Sequence, residues 1–181
     1  MAGMKLKRRP RRALLVVHTA SSVGWLGLTL GLLALGITAA ASDSPEVAEA
    51  SYRSMKVFAD WVNIPVALLS LVSGVVLSLG TPWGLARHRW VYTKFWMTLA
   101  ATGLTIFALR PEINRAAQQA IAGQPVTSTV DLVIAPSVAL ATYGFMTAIS
   151  VLKPWGLTKR GRKLRAGARK PVDVTVLRPT A

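Results

Sequence analysis

The sequence predicts an all-α membrane protein, a bundle of four transmembrane helices with both ends on the cytoplasmic side. Three observations carry that prediction. Long apolar runs alternate with short polar segments. The charge is gathered in blocks at the two ends and in one loop rather than spread along the chain. Four crossings, unlike three or five, put every block rich in Lys and Arg on one side.

Composition narrows the function classes first. The chain is 52% hydrophobic and 16% charged, yet its net charge is +15. Soluble domains average roughly 25% charged residues. A basic nucleic-acid binder interleaves its charge with a folded core, so no nucleic-acid partner is expected. The absence of cysteine excludes disulfides, thiolate metal sites, cysteine nucleophiles and a covalent c-type haem.

A helix needs about 20 apolar residues to cross the hydrocarbon core. Residues 1–12 are a basic tail with Lys5, Lys7, Arg8, Arg9, Arg11 and Arg12. The first span is 13–41, interrupted only by His18 and small hydroxyl residues. A basic stretch before it and Ala39-Ala40-Ala41 at its end imitate a signal peptide. A signal h-region is roughly 7–15 residues, and this run is far longer, so it reads as a span. The second span is 57–79, with Asp60 and Asn63 near its start. The third is 90–109 and carries Lys94; the fourth is 130–152 and starts on Asp131. Residues 13–152 thus form the membrane domain. The remainder, 153–181, is polar, basic and punctuated by Gly and Pro. It is expected to be a disordered cytoplasmic extension. Near anionic lipid headgroups each Lys or Arg is worth about 1 kcal/mol of attraction.

Orientation follows from Lys and Arg close to the spans. The N-terminal tail has six and the C-terminal tail nine, and the second loop adds Arg87 and Arg89 with Lys94 just beyond. The other two loops hold Arg53, Lys56, Arg110 and Arg115 beside Asp43, Glu46, Glu49 and Glu112. The rich segments are expected to face the cytoplasm, with both termini inside.

Three pairs of anchors hint at a duplicated hairpin. Pro82-Trp83-Gly84-Leu85 matches Pro154-Trp155-Gly156-Leu157; Asp60 and Pro65 match Asp131 and Pro136; Pro45-Glu46-Val47 matches Pro111-Glu112-Ile113. Two such hairpins share one orientation, a parallel rather than an inverted repeat. Pro65 and Pro136 each free a carbonyl four residues back, on Trp61 or Leu132, and are expected to kink their helices. Ala20, Gly24, Gly27 and Gly31 in the first span, and Ser70, Gly74 and Ser78 in the second, allow close helix approach. The same small residues would also serve a homo-oligomer or another membrane-protein partner.

Ionisable residues inside a span are costly and mark candidate sites. The inner set is His18 and Lys94, at similar depth on two rising helices. His18 shares a face with Ser21, Ser22, Trp25 and Thr29; Lys94 shares one with Trp90, Met97, Thr98 and Thr105. Haem b is the cofactor they would suit, with His18 on the iron and Lys94 a second ligand or a partner for a propionate. The plain alternatives are a Lys94 that snorkels to the headgroups and a His18 that bonds a neighbouring helix. His88, between Arg87 and Arg89, reads as an interfacial loop residue. There are too few His and acidic residues on one side for a zinc or di-metal site. The outer set is Asp60, Asn63 and Asp131 with Arg110 and Arg53 near. An acid at a helix N-terminus complements the macrodipole, so a structural role is expected there. No catalytic triad, phosphate loop or dinucleotide fingerprint occurs.

The segment His18-Thr19-Ala20-Ser21-Ser22-Val23-Gly24-Trp25-Leu26-Gly27 resembles the first helix of a group of uncharacterised bacterial four-helix integral membrane proteins. Trp90-Val91-Tyr92-Thr93-Lys94-Phe95 looks like the group's Lys-containing third span. More distantly, 13–152 is similar to the copper-resistance D membrane domain and to HemJ-type protoporphyrinogen oxidase. The latter resemblance implies that His18 and Lys94 stand where a histidine and a lysine matter for haem-dependent function. The chain lacks the additional histidines and methionines of a copper handler. The leading expectation is a structural or accessory protein, not an enzyme, acting through membrane partners or lipids. The alternatives are a haem-binding membrane oxidoreductase and a small transporter or transport accessory.

Overall fold

A computed structural model describes residues 6–81 and 84–167. The described residues form five helices and no strand. We number them α1 (Arg8–Ala41), α2 (Pro45–Leu79), α3 (89–121), α4 (Asp131–Leu152) and α5 (Lys159–Gly167). Three of them, α1, α2 and α4, are long and apolar enough to cross a membrane. They make this a membrane protein. α3 is less apolar because Lys94 and four threonines lie within its 90–109 stretch.

α1 is 34 residues long, about 50 Å at 1.5 Å per residue, well beyond a hydrocarbon core of about 30 Å. It stops where Ser42 turns extended. Two residues later the Ser44 hydroxyl accepts from Val47 N at 3.3 Å, and Pro45 follows as the first residue of α2. A hydroxyl cap with proline at the first helical position is a strong helix start. α2 then runs unbroken through a π turn at Phe58–Asn63. α3 likewise joins Arg89–Leu104 to Arg110–Ile121 through a π turn at Thr105–Leu109. Each π turn ends just before a proline, Pro65 or Pro111. Proline lacks the N–H that the regular ladder needs, and a π insertion is one way a helix absorbs such a break. α4 ends at Lys153, whose φ of 48° is left-handed, with Pro154 behind it.

α1 packs on α2 and α4, and α3 packs on the same two helices. One buried cluster joins Leu32 and Ala39 of α1 to Tyr52, Met55 and Ala59 of α2, Ile113, Ala116 and Ala117 of α3, and Leu132 of α4. A second joins Trp25, Ala67, Tyr143 and Met146, with the Trp25 and Tyr143 rings 4.6 Å apart. The opposite faces are apolar and open: Val16, Leu30, Trp61, Phe107, Val138 and Val151 are all exposed. A continuous apolar exterior of this kind belongs against lipid.

The two ends of the molecule differ in charge. Leu6 N donates to Gly80 O at 3.2 Å, and Arg89 N to Gly156 O at 3.2 Å. Both ends of the described chain and the 80–88 connection therefore meet at one end, which we call the basic end. Asp43, Glu46, Glu49, Asp60, Glu112 and Asp131 belong to the other. No acidic residue occurs in 61–111 or 132–172.

Several expectations are corrected. The second and third spans are parts of longer helices. The segments read as loops before 57 and after 109 are largely helical, in 45–57 and 110–121. Gly27 and Gly31 do not bring helices together within the chain, since an added Cβ on either meets nothing within 4 Å. They face outward. The C-terminal tail is not irregular throughout, because Lys159–Gly167 is α5; residues 168–181 lie outside the described residues. The anchors of the suggested duplication sit in unlike settings. Pro45 starts a helix while Pro111 lies within one, and Pro136 sits inside regular α-helix while Pro65 follows a π turn. Pro82 and Trp83 fall outside the described residues.

Candidate functional site

His18 and Lys94 line one cavity of about 260 Å³ at the basic end, among α1, α2 and α3. Its walls are mainly apolar, with Leu15, Leu71, Val75, Leu77 and Phe95, and Arg11 lies at its rim. His18 reaches it because of what faces it. A Cβ on Gly74 would lie 2.9 Å from His18 Cε1. The imidazole therefore sits on α2 only where that helix has no side chain.

The His18 ring is anchored by one nitrogen. Its Nδ1 lies 3.1 Å from the Ser70 carbonyl oxygen and 3.0 Å from Ser73 Oγ. A carbonyl only accepts, so Nδ1 donates and carries a proton, and in the neutral ring the lone pair is then on Nε2. The Ser73 hydroxyl in turn donates to Leu69 O at 2.6 Å, so its oxygen is oriented to accept from the ring. Ser22 and Ser70 hydroxyls are 2.9 Å apart beside it.

Across the cavity, Lys94 Nζ donates to Ser150 Oγ at 2.7 Å, and Ser150 donates to Met146 O at 2.8 Å. A lysine offers three donors and no acceptor. No carboxylate among the described residues lies at this end to meet the other two.

The outer set divides. Asp60 accepts from Arg110 Nε at 2.7 Å, from Lys56 Nζ at 2.8 Å and from Asn114 Nδ2 at 3.3 Å. Lys56 also donates to Asn114 Oδ1 at 2.8 Å. The expected pairing with Arg110 is present, while Arg53 instead pairs with Glu49 at 3.1 Å. Asn63 is buried in the first π turn, its Oδ1 without a hydrogen-bond partner among the described residues. Asp131 is exposed in the first turn of α4. The set is an ion-paired clasp around Asp60, not one pocket. His88 stays in the 84–88 connection, bridged to Leu157, and does not line the cavity. Among the described residues no three His, Cys, Asp or Glu side chains gather as a metal site.

Sequence reasoning missed Ser73 and Ser150 at the cavity and Lys56 and Asn114 at the clasp. Ser73 was findable, one turn beyond Ser70 on the same face. Ser150 was not, since it lies beside the buried stripe of α4 and only the packing turns it toward Lys94.

Comparison with protein-family models, with curated proteins and with solved structures found no match for this chain.

Proposed function

We propose that the protein is a four-crossing integral membrane protein of the bacterial inner membrane, with its basic end cytoplasmic. In this reading it is an accessory protein that holds an anionic amphiphile in the inner leaflet. α3 counts as the fourth crossing because Arg89 bonds Gly156 at one end and Arg110 bonds Asp60 at the other. The observation that carries the binding reading is Lys94. It stands on an apolar cavity in a part of the chain without acids, and the Ser150 hydroxyl takes one of its three donors. A carboxylate or phosphate head on an acyl chain supplies acceptors for the rest and fills the apolar walls. Arg11 at the rim adds a second cation.

Lipids extracted from the purified protein test this. Wild type is expected to retain an anionic lipid that mass spectrometry resolves above the bulk membrane composition, and Lys94→Gln to lose it. Identical lipid complements in the two proteins overturn the reading.

A second reading, a haem-binding oxidoreductase, is favoured by His18. An Nδ1–H held by a carbonyl, with Nε2 left as the ligand atom, is the usual arrangement of a metal-bound histidine. The cavity speaks against it: a rigid porphyrin overfills about 260 Å³, whereas a flexible acyl chain can lie partly in the cavity and partly in the bilayer. A Soret band in the purified protein, lost in His18→Ala, would promote that reading to first place.

A further inference from the structure

α5 is where the basic end departs most from a loose charged tail. Its first turn is built on Thr158. That hydroxyl accepts from Gly161 N at 3.0 Å and lies 2.6 Å from Ala86 O, to which it donates. Thr158 N donates to Arg87 O at 2.9 Å, and Arg89 N donates to Gly156 O at 3.2 Å. With His88 bridged to Leu157, these bonds tie the start of α5 to the 84–89 segment as a short antiparallel pairing. Gly161 completes the joint. It is buried, and a Cβ there would collide with the Arg87 carbonyl oxygen.

This docking has a consequence for charge. Arg162 and Arg165 are three apart on α5 and so share a face. The pairing turns that face toward Arg89 at the start of α3. The three arginines, with Gly156 and Leu157 as floor, line a single concavity of about 580 Å³. Guanidinium groups repel one another, and a fold that brings three together normally supplies a carboxylate. Among the described residues none is within reach, because 61–81, 84–111 and 132–167 contain no acid; Asp173 lies outside the described residues. All three side chains are exposed, so an anion from outside the described residues can reach them.

We propose that Arg89, Arg162 and Arg165 form a binding site for a phosphate monoester or diphosphate group. Planar guanidinium forks match phosphate oxygens in pairs, and three of them suit a group with more than one negative charge. The concavity opens where α3 begins and α4 has just ended. It is therefore within reach of a phosphorylated lipid headgroup and of a phosphorylated solute alike. The site is separate from the His18–Lys94 cavity and does not depend on what that cavity holds.

The test uses the full chain and two probes. Inorganic pyrophosphate is titrated calorimetrically into detergent-solubilised protein. Retention of phosphatidic acid is measured by mass spectrometry after reconstitution in phosphatidylcholine nanodiscs that contain it. Three variants are compared with wild type: Arg89→Gln/Arg162→Gln/Arg165→Gln, the charge-matched Arg8→Gln/Arg9→Gln/Arg12→Gln, and Gly161→Val. The last keeps every arginine but breaks the docking of α5. Each lost charge-assisted contact is expected to weaken binding about tenfold. The first and last variants should therefore fall well below the charge-matched one. Pyrophosphate binding with that pattern identifies a soluble phosphorylated ligand. The pattern with phosphatidic acid alone identifies a lipid headgroup. Equal loss in the two triple variants, full binding by Gly161→Val, or no binding of either probe by wild type overturns the site.

Discussion

Pro136 leaves the Leu132 carbonyl without its usual helical partner, and the chain answers with Gly36 of α1. A Cβ on Gly36 would lie 2.6 Å from Leu132 O, and both residues are buried. Gly36→Ala therefore sets two effects against each other. Alanine gains about 0.8–1.0 kcal/mol of helix propensity over glycine. Overpacking in a tight core costs about 1–3 kcal/mol, and here the obstacle is backbone, which cannot rotate away. The collision should win, so Gly36→Ala is expected to lower the unfolding midpoint in detergent. Gly27→Ala and Gly31→Ala meet nothing and should leave it unchanged or raise it slightly. A Gly36→Ala midpoint equal to wild type would mean that α1 and α4 are not this close. The freed carbonyl at Leu132 was legible in the sequence, because proline dictates it. The glycine that receives it was not. The Gly27–Gly31 spacing looks more like a contact motif, but spacing does not say which side of α1 faces α4. His18 and Lys94 were legible as a pair because charge inside an apolar run is scarce. The serines that orient them were not, being common in such runs.

The two π turns act as one element. Asp60 lies in the first, Arg110 directly follows the second, and Lys56 and Asn114 sit one turn away on either helix. The clasp fixes α2 to α3 where both leave the apolar layer. Asp60 is only 15% exposed at its side chain, against 44% for Arg110. The pair is thus less screened than a surface bridge, whose worth is about 0–1 kcal/mol. A double-mutant cycle of Asp60→Ala and Arg110→Ala, read by chemical unfolding in detergent, is expected to give a coupling of about 1–3 kcal/mol. A coupling near zero would make the clasp an ordinary surface pair. The Asp60–Arg110 partnership was foreseeable from charge and position. The helical character of 45–57 and 110–121 was not, since these segments are polar and were read as loops. They are amphipathic and pack Tyr52 and Met55 on Ile113, Ala116 and Ala117. Their period was outweighed by the adjacent apolar spans.

At the scale of the whole molecule the fold gathers the Lys- and Arg-rich segments at one end. Every acidic residue in the described segments lies at one end, and both described termini meet at the other. The positive-inside rule assigns such an end to the cytoplasm, which is the orientation proposed above. The chain has no cysteine, which makes single introduced thiols clean reporters. Gln124→Cys lies in the exposed connection between α3 and α4, and Lys163→Cys lies on the exposed side of α5. In cells with a permeabilised outer envelope but an intact inner membrane, a charged maleimide is expected to label Gln124→Cys at once. It should reach Lys163→Cys only after the inner membrane is opened. The reverse pattern would mean either that the protein is turned over or that α3, the least apolar of the four long helices, does not cross; Arg9→Cys, exposed at the start of α1, is labelled from outside in the first case and protected in the second. Labelling of both from outside would mean that α4, the one long helix between the two thiols, does not cross. With the three thiols the experiment separates a wrong orientation from a wrong number of crossings, and only four crossings with the basic end inside leave Gln124→Cys labelled while Arg9→Cys and Lys163→Cys are both protected.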